Sequence, residues 1–145
     1  MATTIETHIY IDASCNHQKG IAVVGQWCPS NDFVELIHLS GSVKSTSSEV
    51  AGFITFSQSW PQLSDHMYVV HTDCNNLMVH QHTTRDDITF VKEMGHGRVG
   101  VVNADFRKID KLTRKAMRAI VKESSEDPDT IIASVIAGKK VDQQC

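Results

Sequence analysis

Apolar runs of strand length, separated by short polar links, mark the first third of the chain. THIYIDAS alternates and is rich in β-forming residues; GIAVVGQW follows the turn-like CNHQK, and FVELIHLSG follows PSND. Three strands so linked predict an antiparallel meander. The period then changes, and a helix is expected from about Thr46 to Trp60, stopped by Pro61. MYVVHT reads as a short, fully apolar strand, a brief helix follows around Asn75 to His82, and ITFVKEM alternates again as a fifth strand. Beyond the Gly-rich loop GHGRVG, a long helix is expected from about Asp105 to Lys122, then a polar break, SSEDPD. TIIASVIAG fits either a short terminal helix or an extra strand, and KKVDQQC reads as a frayed end.

The order βββαβαβα excludes a pure helical bundle and a sandwich, and implies a mixed sheet with helices on its faces. The connection from the third strand through the Thr46–Trp60 helix is long enough for a crossover that sets strands parallel. In such sheets ligands gather outside the carboxyl ends of the parallel strands. A length of 145 residues suits a single domain, with its core over about 7–122 and an extension over 123–145. No apolar run reaches membrane-spanning length and the first residues lack the basic and apolar regions of a signal peptide, so an intracellular, cytoplasmic location is expected. Cys15, Cys28, Cys74 and Cys145 form no CxxC pair and suit reduced thiols. Eight histidines include no HxxxH spacing, which leaves a zinc enzyme a distant reading.

Four acids stand apart. Asp12 closes the apolar run HIYID, Asp73 closes MYVVHTD, Glu49 opens an amphipathic helix and Asp110 lies in the first turns of the long one. A carboxylate at the end of a buried strand is costly unless positive charge meets it, and four of them converging would require a cation. Each also has a plainer account. Asp12 could end a strand, Asp73 could cap the next helix, and Thr46-Ser47-Ser48-Glu49 is a capping-box pattern. Yet Glu49 falls within the arc of Val50, Phe53, Phe56 and Trp60 at about 100° per residue, which carries it inward.

The net charge of −3 speaks against a polyanionic partner only until its distribution is considered. Neutralising the four acids leaves +1, and Arg107, Lys108, Lys111, Arg114, Lys115, Arg118 and Lys122 share about a third of one helix's circumference. Such a stripe suits a phosphate backbone, which supplies affinity without sequence reading. A merely solvated face, with Asp110 an intrahelical partner of Arg107 or Arg114, is the competing account.

With these residues in view, the chain resembles the type 1 ribonuclease H family over roughly Thr7 to Lys122. IYIDASCN resembles the family's first strand with its Asp, SEVAGF the helix start with its Glu, VVHTDCNNL the fourth strand with its Asp, and RKIDKLTRKAM the last helix. The resemblance implies an α/β fold with a ribonuclease H-like mixed five-stranded sheet, three antiparallel strands and then parallel ones, and helices on both faces. It also implies endonucleolytic hydrolysis of the RNA strand of RNA–DNA hybrids by two ions, Mg²⁺ or Mn²⁺. Asp12, Glu49, Asp73 and Asp110 would be the metal ligands and catalytic residues. His96 of GHGRVG is the candidate for the family's loop histidine, which assists product release. Contacts to the hybrid would rest on Cys15, Asn16, Thr46, Ser47 and Asn75, and on Arg107, Lys111 and Arg114. A monomer is expected, acting alone or beside a polymerase or reverse transcriptase, with no membrane partner.

Two alternatives remain. One is another nuclease of this fold, such as a Holliday junction resolvase-like enzyme; the other is a non-catalytic nucleic-acid-binding domain. Exonucleases of the fold carry Asp-x-Glu in the first strand, where this chain has Asp12-Ala13-Ser14. Junction resolvases place their last two acids a helical turn apart, and residues 106–114 hold only Asp110. A binding domain would be expected to have lost a carboxylate, and none is missing.

Overall fold

The computed structural model describes residues 4–41, 45–78, 85–93, 103–123 and 125–138. Strands β1 (Ile5–Asn16), β2 (Ile21–Cys28) and β3 (Phe33–Ser40) form the expected antiparallel meander. Helix α1 (Ser45–Ser57) carries the chain across to β4 (His66–Thr72), which lies parallel to β1; β5 (Ile88–Lys92) lies parallel to β4. A four-residue helix, α2 (Asn75–Met78), follows β4. The long helix α3 (Ala104–Lys122) and then α4 (Pro128–Ile136) complete the described elements. The sheet order β3-β2-β1-β4-β5 is the mixed five-stranded, ribonuclease H-like arrangement.

Alternate residues of β1 feed two cores, as a pleated strand must when both its faces are covered. Ile9 and Ile11 join Val24, Phe53, Phe56, Trp60, Val70 and Leu77 beneath α1 and α2. Tyr10 joins Val23, Trp27, Ile109, Ala116 and Ile120 beneath α3. The segment that fitted helix or strand is helix α4. Asp127 caps it by accepting from the Thr130 N–H at 3.3 Å, Pro128 occupies its first turn, and Ile131, Ile132 and Val135 extend the α3-side core toward β3.

Two boundaries differ from the sequence expectation. Helix α1 begins at Ser45 and ends at Ser57, three residues before Trp60. Its end is held by Arg85, whose guanidinium donates to the Ser57 and Trp60 carbonyls at 2.9 Å each while pairing with Asp87 at 2.6 Å. The short helix after β4 is described to Met78, and the rest of the span expected for it, 79–82, lies outside the described residues. The other differing boundary is that of β1, which runs on past Asp12 and past the end of THIYIDAS to Asn16. Its parallel pairing with β4 ends at Tyr10↔His71, whereas its antiparallel pairing with β2 runs on to Asn16↔Ile21. Asp12 therefore stands just past the point where β4 leaves β1, and a cleft can open there.

Two glycines bring the flanking helices close to this point. Gly25 pairs with Asp12 across the β1–β2 ladder, and a Cβ there would come within 2.5 Å of Leu36 on β3 and within 2.7 Å of Ile109 and 2.9 Å of Thr113 on α3. On the other face, a Cβ at Gly52 would collide with Val24. Gly25→Ala is expected to crowd Leu36 and the α3 side chains Ile109 and Thr113, with a loss of about 1–3 kcal/mol typical of overpacking. Urea unfolding checks the loss, and it should be accompanied by weaker divalent-ion binding.

Candidate metal centre

Asp12 and Glu49 are each only 3% exposed, and Asp110 is 8% exposed. Interiors do not accept bare carboxylates in such number without compensation. Asp12 points toward the α3 side and Glu49 enters from the first turn-and-a-half of α1. Asp73, half-buried, sits on the bend directly after β4. Asp12, Glu49 and Asp73 each offer a carboxylate oxygen, and these oxygens all lie within 4.8 Å of one another. Asp110 joins from α3, within hydrogen-bond reach of the Asp12 carboxyl. The structure thus brings together all four acids that the sequence singled out.

The local chemistry orients this group. Thr72, fully buried, donates its hydroxyl to Glu49 Oε1 and accepts the Cys74 N–H at 3.0 Å, which fixes the bend bearing Asp73. Glu49 therefore reaches across to β4. On α3, the Thr113 hydroxyl donates to the Asp110 carbonyl at 3.0 Å and lies 3.2 Å from Ser14 Oγ, tying the helix to β1. Lys92, at the end of β5, donates to the Asp73 carbonyl at 2.5 Å and to Asn75 Oδ1 at 2.6 Å.

Burial, the shared contact with Asp110, and the neighbouring charges of Glu49 and Asp73 hold the Asp12 carboxyl far above the ordinary carboxylate range. Burial likewise pushes Glu49 up to about 8, against the Thr72 hydrogen bond and the Lys92 charge, which favour its ionised form. Asp12 Oδ2 is buried with no hydrogen-bond partner among the described residues. Such a group requires either a proton or a cation. An all-oxygen donor set suits hard divalent ions, so the triad Asp12, Glu49 and Asp73 is able to bind a metal ion, with Asp110 at hand.

Asp12, Glu49 and Asp73 open into a cavity of about 640 Å³, whose wall also includes Ser14, Cys15, Cys74, Asn75, Asn76, Arg114, Met117 and Arg118, with Asp110 behind it. The basic stripe is divided by the geometry. Arg114 and Arg118 line the cavity, whereas Arg107 and Lys111 are exposed along α3 outside that wall. Lys108 lies 3.7 Å from the Trp27 ring centroid, a cation–π contact that engages it with the protein. Arg114 donates to Asp110 Oδ2 at 2.8 Å, so the intrahelical pair and the approach to Asp12 coexist.

Of the other expected contact residues, Cys15 and Asn75 line the cavity. Asn16 instead closes the β1–β2 turn, its side-chain oxygen accepting the Lys19 N–H at 3.0 Å, and Ser47 is exposed on the first turn of α1. His96 and the side chain of Thr46 lie outside the described residues. Sequence reasoning missed Thr72, Asn76 and Lys92, and it placed Arg118 on the basic stripe without singling it out as a contact residue. It also missed that His8 and His71, isolated in the chain, meet at 2.8 Å, with His71 bound in turn to Glu93 at 2.7 Å. The parallel β1–β4 register creates that contact.

No family model matches this sequence, and a search of curated proteins returns no match. Among the described residues, no helix is long and apolar enough to cross a membrane.

Proposed function

We propose that this chain is an endonuclease of the ribonuclease H type, hydrolysing the RNA strand of RNA–DNA hybrids without base specificity and using two divalent ions, Mg²⁺ or Mn²⁺. The observation that carries the reading is the convergence of Asp12, Glu49, Asp73 and Asp110 at the mouth of a mixed sheet of this topology. Asp12, Glu49 and Asp73 would hold the ions, with Asp110, in contact with the Asp12 carboxyl, as the fourth acid of the set. Bound there, such ions supply an activated water on one side of the phosphodiester and charge stabilisation of the leaving 3′ oxygen on the other.

The protein's own groups do the positioning. Thr72 aims Glu49, and Lys92 fixes the Asp73 bend. Arg114 and Arg118 place positive charge on the α3 wall, where a strand backbone would run. Asn75 and Asn76 on the opposite wall offer amide groups to ribose hydroxyls, the feature by which a protein distinguishes RNA from DNA. Contacts of these kinds, to backbone phosphate and ribose, carry no base sequence, in keeping with a sequence-independent nuclease.

The test is incubation with labelled RNA–DNA hybrid, single-stranded RNA and a four-way DNA junction, each with Mg²⁺ or Mn²⁺. Cleavage confined to the RNA strand of the hybrid is expected. Cutting of the junction would favour a resolvase, and binding of hybrid without any cleavage would favour a non-catalytic domain.

A further inference from the structure

Arg114 occupies two roles at one place. Its guanidinium is bonded at 2.8 Å to Asp110 Oδ2, one turn back on α3, and the same side chain forms part of the cavity wall beside Arg118. Asp110 is almost wholly buried, while the Arg114 side chain is 37% exposed. The arginine is thus the more exposed member of the pair, and it reaches the cavity wall while the acid stays behind it. An arginine side chain holds a carboxylate or a phosphate by the same planar, two-pronged geometry.

We propose that Arg114 is the resident counter-charge of Asp110, released by divalent-ion binding to grip a phosphate of the bound strand. The inference rests on the reading of the acids as a cation centre and adds a coupling between ion and nucleic acid. A cation on Asp110, whichever oxygen it takes, withdraws the negative charge that holds the guanidinium. A phosphate arriving in the cavity offers Arg114 a replacement partner. Each ligand then assists the other, and by linkage the assistance is equal in both directions. Arg118, one turn further along α3 and also on the wall, prolongs the phosphate track. Before an ion binds, Arg114 keeps its charge turned to the protein, so the basic wall is strongest when the acids are loaded.

The experiment compares the full chain with Arg114→Met and Arg118→Met, which lose the same charge at neighbouring places on the wall. Mn²⁺ affinity is measured by calorimetry without nucleic acid, at an ionic strength high enough to screen long-range effects. Arg114→Met is expected to bind Mn²⁺ roughly two- to fivefold more tightly, as removal of a partly exposed ion pair allows, with Arg118→Met close to the parent protein. Affinity for an RNA–DNA hybrid is then measured with and without Ca²⁺. The gain produced by the ion should be smaller in Arg114→Met than in the parent and in Arg118→Met. Equal Mn²⁺ affinity in the parent and Arg114→Met, or an undiminished gain for the hybrid, overturns the coupling and leaves the nuclease reading standing. Failure of every protein to bind a divalent ion overturns both.

Discussion

Replacement of Asp12 by Asn is expected to have opposite effects with and without divalent ions. In EDTA near pH 8 the variant should melt at a higher temperature than the parent. Asn keeps nearly the same shape but brings no charge into a site where Glu49, Asp73 and Asp110 already crowd, and where Asp12 is 3% exposed. With Mg²⁺ in excess the order should reverse. An ion that binds only the native state raises stability by about 2.7 kcal/mol when present at a hundred times its dissociation constant, and the variant lacks the ligand common to the whole group. Hydrolysis of hybrid RNA should fall by roughly a thousandfold or more, corresponding to about 4 kcal/mol of transition-state stabilisation. Melting curves in EDTA and in Mg²⁺ separate the two signs. A parent protein whose melting temperature ignores Mg²⁺ would remove the metal centre from consideration.

The second large effect concerns pH. Glu49 ionises near 8 in the folded protein, against an ordinary value of 4.5. Between those values the native state retains a proton that the unfolded chain has released. Stability from this group is therefore complete below about pH 4.5 and is lost as the pH rises through about 8. Asp12, raised further still, acts in the same direction. Each retained proton corresponds to a slope of about 1.4 kcal/mol per pH unit. Asp87 does not interfere, because Arg85 lowers its carboxyl and confines its contribution to more acidic solution. In EDTA, the stability of the parent relative to Glu49→Gln should decline steadily from pH 5 to pH 8. Saturating Mg²⁺ should flatten that decline, since the ion takes the place of the protons, and ion affinity itself should rise across the same range. A difference between the two proteins that does not change with pH would contradict the burial of Glu49 as a protonated acid.

Much of this architecture is visible in the chain. Alternation and turn residues mark the meander, and the change of period marks α1. The apolar character of MYVVHT marks the inner strand that brings Asp73 beside Asp12. The inward lean of Glu49 follows from its place among Phe53, Phe56 and Trp60. What the chain conceals is depth and register. A helical wheel puts Arg107, Lys111, Arg114 and Arg118 on one stripe but cannot say which of them reach the cavity. That depends on how α3 crosses β1, which in turn depends on Gly25. Thr72 looks like any β-branched strand residue until Glu49 meets its hydroxyl. The competing accounts of Asp110 also proved compatible, because its carboxyl can meet Arg114 and Asp12 together. Where TIIASVIAG goes was undecidable from periodicity alone, since a short apolar run satisfies either element.

The close approaches at Gly25 and Gly52 bear on any attempt to make this protein sturdier. Glycine-to-alanine exchange is a routine first choice in thermostabilisation, because it restricts the unfolded chain and favours helix, and Gly52 lies inside α1. Here both exchanges would wedge a methyl group between a helix and the sheet, one on each side of Asp12. Glu49 would retreat on one side and Asp110 on the other. An engineer following general rules would be led to the two positions where a gain in rigidity pulls the acids apart.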